Sequence, residues 1–194
     1  MADVMVGLLL SLSAGVRMTL PLLAVCLLAQ MHIVHLPENM DWLGTDTSLI
    51  ILLVAAVAET VVHLLPATGT ALKVAATPLA FMAGTLLMAV PMEGENPLYQ
   101  WAFAAIIGGG SATLMHLCLT AGRVVMAPAN VASLGIFGIL WNAGEFLLSI
   151  VLAILAAICS VEGWIIGAVS LFAIGTFMLI VLVKIILTDP SRAK

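Results

Sequence analysis

Three ionisable side chains, Arg17, Glu59 and Glu145, interrupt runs of otherwise apolar sequence. Arg17 stands in SLSAGVRMTLP, between Gly15 and Pro21. Glu59 stands in AETVVHLL, and Glu145 in GEFLLSIV. Each lies about a dozen residues into its run, which at 1.5 Å per residue is roughly 15–20 Å, near the centre of a ~30 Å hydrocarbon core. One unpaired charge at that depth costs about 2.5–3.5 kcal/mol, so three would cost about 10 kcal/mol. They are expected to face one another or a wet cavity, with Arg17 bridging Glu59 and Glu145. One positive and two negative charges leave a surplus, so either one carboxylate holds a proton or a cation completes the cluster. Such a site could carry a proton or bind Na⁺. The bland alternative is an ion-pair network that only fixes helix packing.

Polar neighbours at helical spacing enlarge the cluster. His63 is four residues past Glu59 and shares its face. Asn142 and Trp141 precede Glu145 by three and four residues, and Thr19 is two residues past Arg17. Ser111, Thr113 and His116 share one apolar run. The expected midplane site is therefore Arg17, Glu59, Glu145, Asn142, Ser111 and Thr19. His63 and His116 are either relay groups or satisfied interfacial histidines. The three cysteines, Cys26, Cys118 and Cys159, are far apart in apolar runs and read as small buried residues. In HIVHLPENMDWLGTD an HxxH lies beside carboxylates, but Pro37 breaks any regular helical face there, and a solvated acidic loop is expected instead of a metal site. No cofactor is expected, and no nucleophile–base pair or phosphate-binding loop marks an enzyme.

The elements that must hold this site are membrane helices. The chain of 194 residues is 63% hydrophobic and 8% charged, with mean hydropathy +1.26, against about 25% charged in soluble domains. A basic footprint for nucleic acid is missing. The opening MADVMVGLLLSLSAG lacks the positive region of a secretory signal and reads as a retained first span. Six apolar segments run roughly over 5–30, 48–65, 76–92, 99–122, 132–159 and 163–187. The third is short and starts near Pro78, so it reads as a tilted or partly re-entrant element. Six spans put Lys73, Arg123, Lys184, Arg192 and Lys194 on the side of both termini, and Glu38, Asp41, Asp46, Glu93, Glu95 and Glu162 on the other. The positive-inside rule then makes both termini cytoplasmic in a bacterial inner membrane. Trp42, Tyr99, Trp101 and Trp164 fall where an interfacial aromatic belt would.

A weak repeat relates residues 1–92 to 99–187, with a tail at 188–194. SAGVRMTL pairs with SATLMHLC, AETVVHLL with GEFLLSIV, and FMAGT with FAIGT, in register order. Three spans per repeat give inverted topology, an all-α plan shared with many secondary transporters. Broken first and fourth helices follow from that plan, with Gly15, Pro21, Gly108, Gly109 and Gly110 as hinge candidates. The alternative is that these glycines only let helices pack closely.

The stretches AGVRMTLPLL, LPENMDWLG, AETVVHLLP and HLCLTAGR resemble a family of small bacterial membrane proteins classed as a domain of unknown function. The resemblance covers most of the chain up to about Glu145. It implies a six-span inner-membrane protein and supplies no activity. The chain departs from the family pattern at His63, where an acidic residue often stands, at Phe146, where another often follows the glutamate, and at Leu119, where a basic residue is usual. The expected function is a small secondary transporter or channel-like permease, coupled to protons or Na⁺. The alternative is a scaffold or accessory subunit of a larger complex. The partners expected are the lipid bilayer and a second copy or a larger membrane complex, with Gly163 and Gly167 as a GxxxG contact.

Overall fold

The computed structural model describes residues 2–64, 76–92, 95–133 and 135–162. The sixth apolar segment, the GxxxG at Gly163, the FAIGT match, Trp164, Lys73 and Glu93 lie outside the described residues. Among the described residues every regular element is helical. The elements are α1 (Ala2–Val16), α2 (Thr19–Gln30), α3 (Asp46–Leu64), α4 (Thr77–Ala89), α5 (Pro97–Phe103), α6 (Gly110–Val125), α7 (Ala127–Ala132) and α8 (Ile136–Glu162). A 3₁₀ helix, Glu38–Gly44, precedes α3, and a 3₁₀ turn, Val90–Met92, closes α4. A π-helical segment, Ala104–Gly109, joins α5 to α6.

Two helices are long and apolar enough to cross a membrane, Pro97–Val125 and Ile136–Ala156. A third candidate is Glu38–Gly44 with Asp46–Val61, bent by 61°. The first of these starts cleanly because Asn96 accepts a hydrogen bond from the Leu98 N–H at 3.0 Å and Pro97 occupies the first turn. Apolar side chains stay exposed along α3, at Ile50, Ile51, Val54, Val57 and Val61, and along α8, at Leu147, Val151 and Ile154. A water-soluble chain rarely leaves so much contiguous apolar surface uncovered. These are the outer faces of a membrane protein.

The centre of the bundle is α1, which packs on α4, α6 and α8. Leu9 and Ala14 are fully buried there, together with Leu87, Met88 and Met115 from the neighbouring helices. Small residues set the spacing, as is usual between membrane helices. A side chain added at Gly15 would strike the Ala112 carbonyl and Met115. One added at Gly84 would meet the Gly108 carbonyl at 2.6 Å. Gly15, Gly108 and Gly109 are thus close-approach positions, whereas Gly110 has open space around it.

The contacts also fix direction. Along α1, Gly7 meets Met88 and Pro91, and the Ser11 hydroxyl donates to the Gly84 carbonyl at 2.8 Å, so α1 and α4 are antiparallel. Ser13 bonds Ser149 at 2.9 Å and Arg17 bonds Asn142 at 2.7 Å, so α1 and α8 are antiparallel too. The short links at 93–96 and 126–135 make α4, Pro97–Val125 and α8 an up-down-up series, which leaves α1 parallel to α6. Six alternating spans would set the first, third and fifth segments parallel, and an inverted three-span repeat would oppose the first and fourth. The observed directions depart from both expectations. The first segment is two helices, α1 and α2, interrupted at Arg17–Met18.

Replacing Gly84 with leucine is expected to lower stability by about 1–3 kcal/mol or more, through overpacking against α6. Gly110→Ala is expected to be neutral or to stabilise by about 0.5–1 kcal/mol. Thermal unfolding of the two variants in detergent checks the contrast.

Candidate functional site

The site begins where α1 stops. The Arg17 N–H still donates to the Ser13 carbonyl at 2.9 Å. The next two N–H groups do not continue the ladder. Met18 donates to Glu59 Oε1 at 3.1 Å and Thr19 to Oε2 at 3.1 Å, and the Thr19 hydroxyl bonds the same carboxylate. A helix N-terminus leaves unpaired N–H donors. Here a carboxylate from another helix takes two of them, in the position that the helix dipole favours for a negative charge. Pro21 lies in the first turn of α2, where its missing N–H leaves no bond unmade. It therefore helps to start a helix rather than to bend one.

Arg17 is only 2% exposed. Its Nη2 donates to Asn142 Oδ1 at 2.7 Å and its Nη1 to Thr60 Oγ1 at 3.3 Å. The guanidinium carbon lies 5.3 Å from the centroid of the Phe146 ring, within cation–π range. Arg17 and Glu59 also interact electrostatically. One cluster thus joins α2, α3 and α8: Arg17, Thr19, Glu59, Thr60, Asn142 and Phe146.

Glu145, 4% exposed, takes a different partner from the one its sequence position suggests. Arg123 Nε donates to its Oε1 at 2.7 Å, and an ion pair joins Arg123 Nη2 to Oε2. The Trp141 indole N–H donates to Oε1 at 2.6 Å, one helical turn away. The sequence grouped Arg123 with cytoplasmic loop charges. It stands instead in the last turn of α6, and its long side chain reaches Glu145 on α8. Arg123 and Arg17 also interact electrostatically. Two arginines and two glutamates therefore share this region with no formal surplus of charge, which removes the expected need for a bound cation.

The remaining expected residues lie apart from the break. Ser111 donates to the Gly108 carbonyl of its own helix at 3.0 Å, and Thr113 to that of Gly109 at 2.8 Å. Both bonds flank the π segment, a form often found at functional sites. His116 is buried on α6. The side chain of His63 lies outside the described residues. Among the described residues no three His, Cys, Asp or Glu side chains gather as metal ligands.

Thr60, Arg123, Phe146 and the pair Ser13–Ser149, whose hydroxyl oxygens are 3.0 Å apart, were missed from sequence. Thr60 and Phe146 each directly follow an expected glutamate, and that adjacency was their only signal.

A family model, Domain of unknown function (DUF4126), matches residues 4–183, and the chain belongs to that family. The match contains every residue of both clusters. No curated protein and no solved structure matches the chain.

Arg123→Leu leaves Glu145 buried without its counter-charge and is expected to destabilise by about 3–5 kcal/mol. Adding Glu145→Leu to it is expected to restore much of the loss. Denaturation of the single and double variants in detergent reads out that coupling.

Proposed function

We propose that the protein is a small proton-coupled secondary transporter or channel-like permease. It is read as a multi-pass protein of the bacterial inner membrane, with the Lys/Arg-rich side, including Arg123, facing the cytoplasm. The observation that carries this reading is the Glu59 carboxylate held on the N–H groups of a helix break. Broken helices whose N-termini face an anion are a recurring feature of transporter sites.

The chemistry favours a proton over Na⁺. Glu59 accepts from two backbone N–H groups and a hydroxyl. The Met18 and Thr19 N–H groups offer no lone pair to a metal cation. A proton on Glu59 would instead cancel the charge that holds Met18 and Thr19. The start of α2 then loses its cap. Arg17, one residue from the break, links that loss to α8 through Asn142. Proton occupancy on α3 thereby biases the contact between the broken helix and α8, a two-state element of the kind coupling requires. With 194 residues to enclose a pathway, assembly as a homo-oligomer or within a larger complex fits this reading.

A second reading, a non-transporting scaffold or accessory subunit, draws on the Arg123–Glu145 pair and the Ser13–Ser149 bonds, which tie helices together. Purified protein in liposomes loaded with a pH-sensitive dye separates the two. Wild type is expected to dissipate an imposed proton gradient in the presence of a transported ion or solute. Glu59→Gln keeps the shape and one acceptor, and is expected to lower that flux at least tenfold in protein that elutes as a folded species. Equal flux in folded mutant and wild type overturns proton coupling, and stable co-purification of one partner with no flux favours the subunit.

A further inference from the structure

We infer that α1 and α2 form a re-entrant hairpin. Its tip, Arg17–Met18, lies inside the membrane, and both legs open on the side that carries the 31–45 segment. The inference stands independently of what the protein transports.

The directions of the helices carry it. α1 is antiparallel to α4 and α8, as described above. α2 is antiparallel to α3: Gln30 at the end of one bonds Asp46 at the start of the other at 3.3 Å, and Thr19 at the start of α2 bonds Glu59 late in α3. Only residues 65–76 separate α3 from α4. As helix those residues would reach roughly 18 Å, short of a ~30 Å core. As extended chain in lipid they would leave backbone groups unpaired. Taken as successive crossings, with α4 prolonged by the Val90–Met92 turn, α3 and α4 run in opposite directions. It follows that α3 runs parallel to α1, and that α2 runs against α1. The chain reverses at the break.

Three independent features agree. First, α2 packs on α1, α3, α4 and α8, and any contact it makes with α6 is sparser than these. A straight continuation of α1 would lie along the second half of α6, because Gly15 already abuts Ala112 and Met115. Second, α1 has 15 residues and α2 has 12, or roughly 22 and 18 Å, lengths that let each leg stay within a ~30 Å core. Third, the hairpin moves the start of α1 to the side of Glu38, Asp41, Asp46 and Glu95. The stretch before Arg17 carries Asp3 and no Lys or Arg. Arg123, in the last turn of α6, still falls on the opposite side, so the described charges obey the rule at least as well.

The consequence concerns sidedness. The N-terminal end of α1 faces away from the cytoplasm, opposite to the expectation drawn from six through-spans. The Arg17–Glu59 cluster then sits at the inner end of a hairpin.

The test uses single cysteines in a background lacking Cys26, Cys118 and Cys159. Asp3→Cys, Thr47→Cys, Glu95→Cys and Ala127→Cys are probed with a membrane-impermeant maleimide on sealed cells, and on inverted vesicles. The hairpin predicts that positions 3, 47 and 95 react from one side and position 127 from the other. Reaction of position 3 from the same side as position 127 overturns it. Should the cysteine-free background fail to fold, a protease-cleavable tag ahead of residue 1 of the wild-type chain reads the same sidedness. Cleavage from the side of residue 127 again overturns the hairpin, and cleavage from the side of residue 95 upholds it.

Discussion

Backbone N–H groups cannot be left unpaired in hydrocarbon, and that constraint organises this molecule. A helix that starts again after a break exposes donors, and something must accept from them. Here the acceptor is Glu59, reaching from α3 to the Met18 and Thr19 N–H groups. The exchange satisfies both parties. The buried carboxylate gains donors, and the broken backbone gains acceptors. Neither would be stable at that depth alone, so the break in the first segment and the acid in the second are two halves of one structural solution.

Arg17 extends the solution sideways. It sits at the break, is buried, and spreads its guanidinium over Thr60, Asn142 and the face of Phe146. A few residues along α8, Glu145 answers to Arg123 and Trp141. The two clusters share α8, and their two arginines repel each other. Interior charge is thus divided into linked pairs, each anchored to a different helix, in place of the single triad of Arg17, Glu59 and Glu145.

The sequence was informative wherever a residue was chemically out of place. An arginine and two glutamates in apolar runs marked the interior clusters, and Gly15 and Pro21 bracketed the break. Membrane character and family were legible from composition and from motif stretches such as AGVRMTLPLL. Partner choice was not. Arg123 lies near the end of a helix, and only three-dimensional packing shows its side chain turned toward Glu145 instead of toward solvent. Direction was hidden for a related reason. Hydropathy registers how long an apolar run is, and residues 5–30 are long enough for one crossing; it carries no sign of whether the chain turns back within that run. Gly108 likewise reads as a candidate hinge or a small contact, and the Gly84 carbonyl it abuts was needed to choose between them.

The π segment Ala104–Gly109 has a bearing on how this helix can change over time. A π turn holds one residue more than an α turn, so it advances the phase of everything after it by roughly 100° relative to an uninterrupted α-helix. Upstream, the helix is committed by Gln100, which bonds the Ala89 carbonyl at 2.9 Å. Downstream, it is committed by Ala112 and Met115 against α1. The extra residue is what lets both commitments hold along one continuous helix. Loss of a single residue from AAIIGG would leave a more regular helix and a worse protein, because one of its two faces would then be turned out of the bundle.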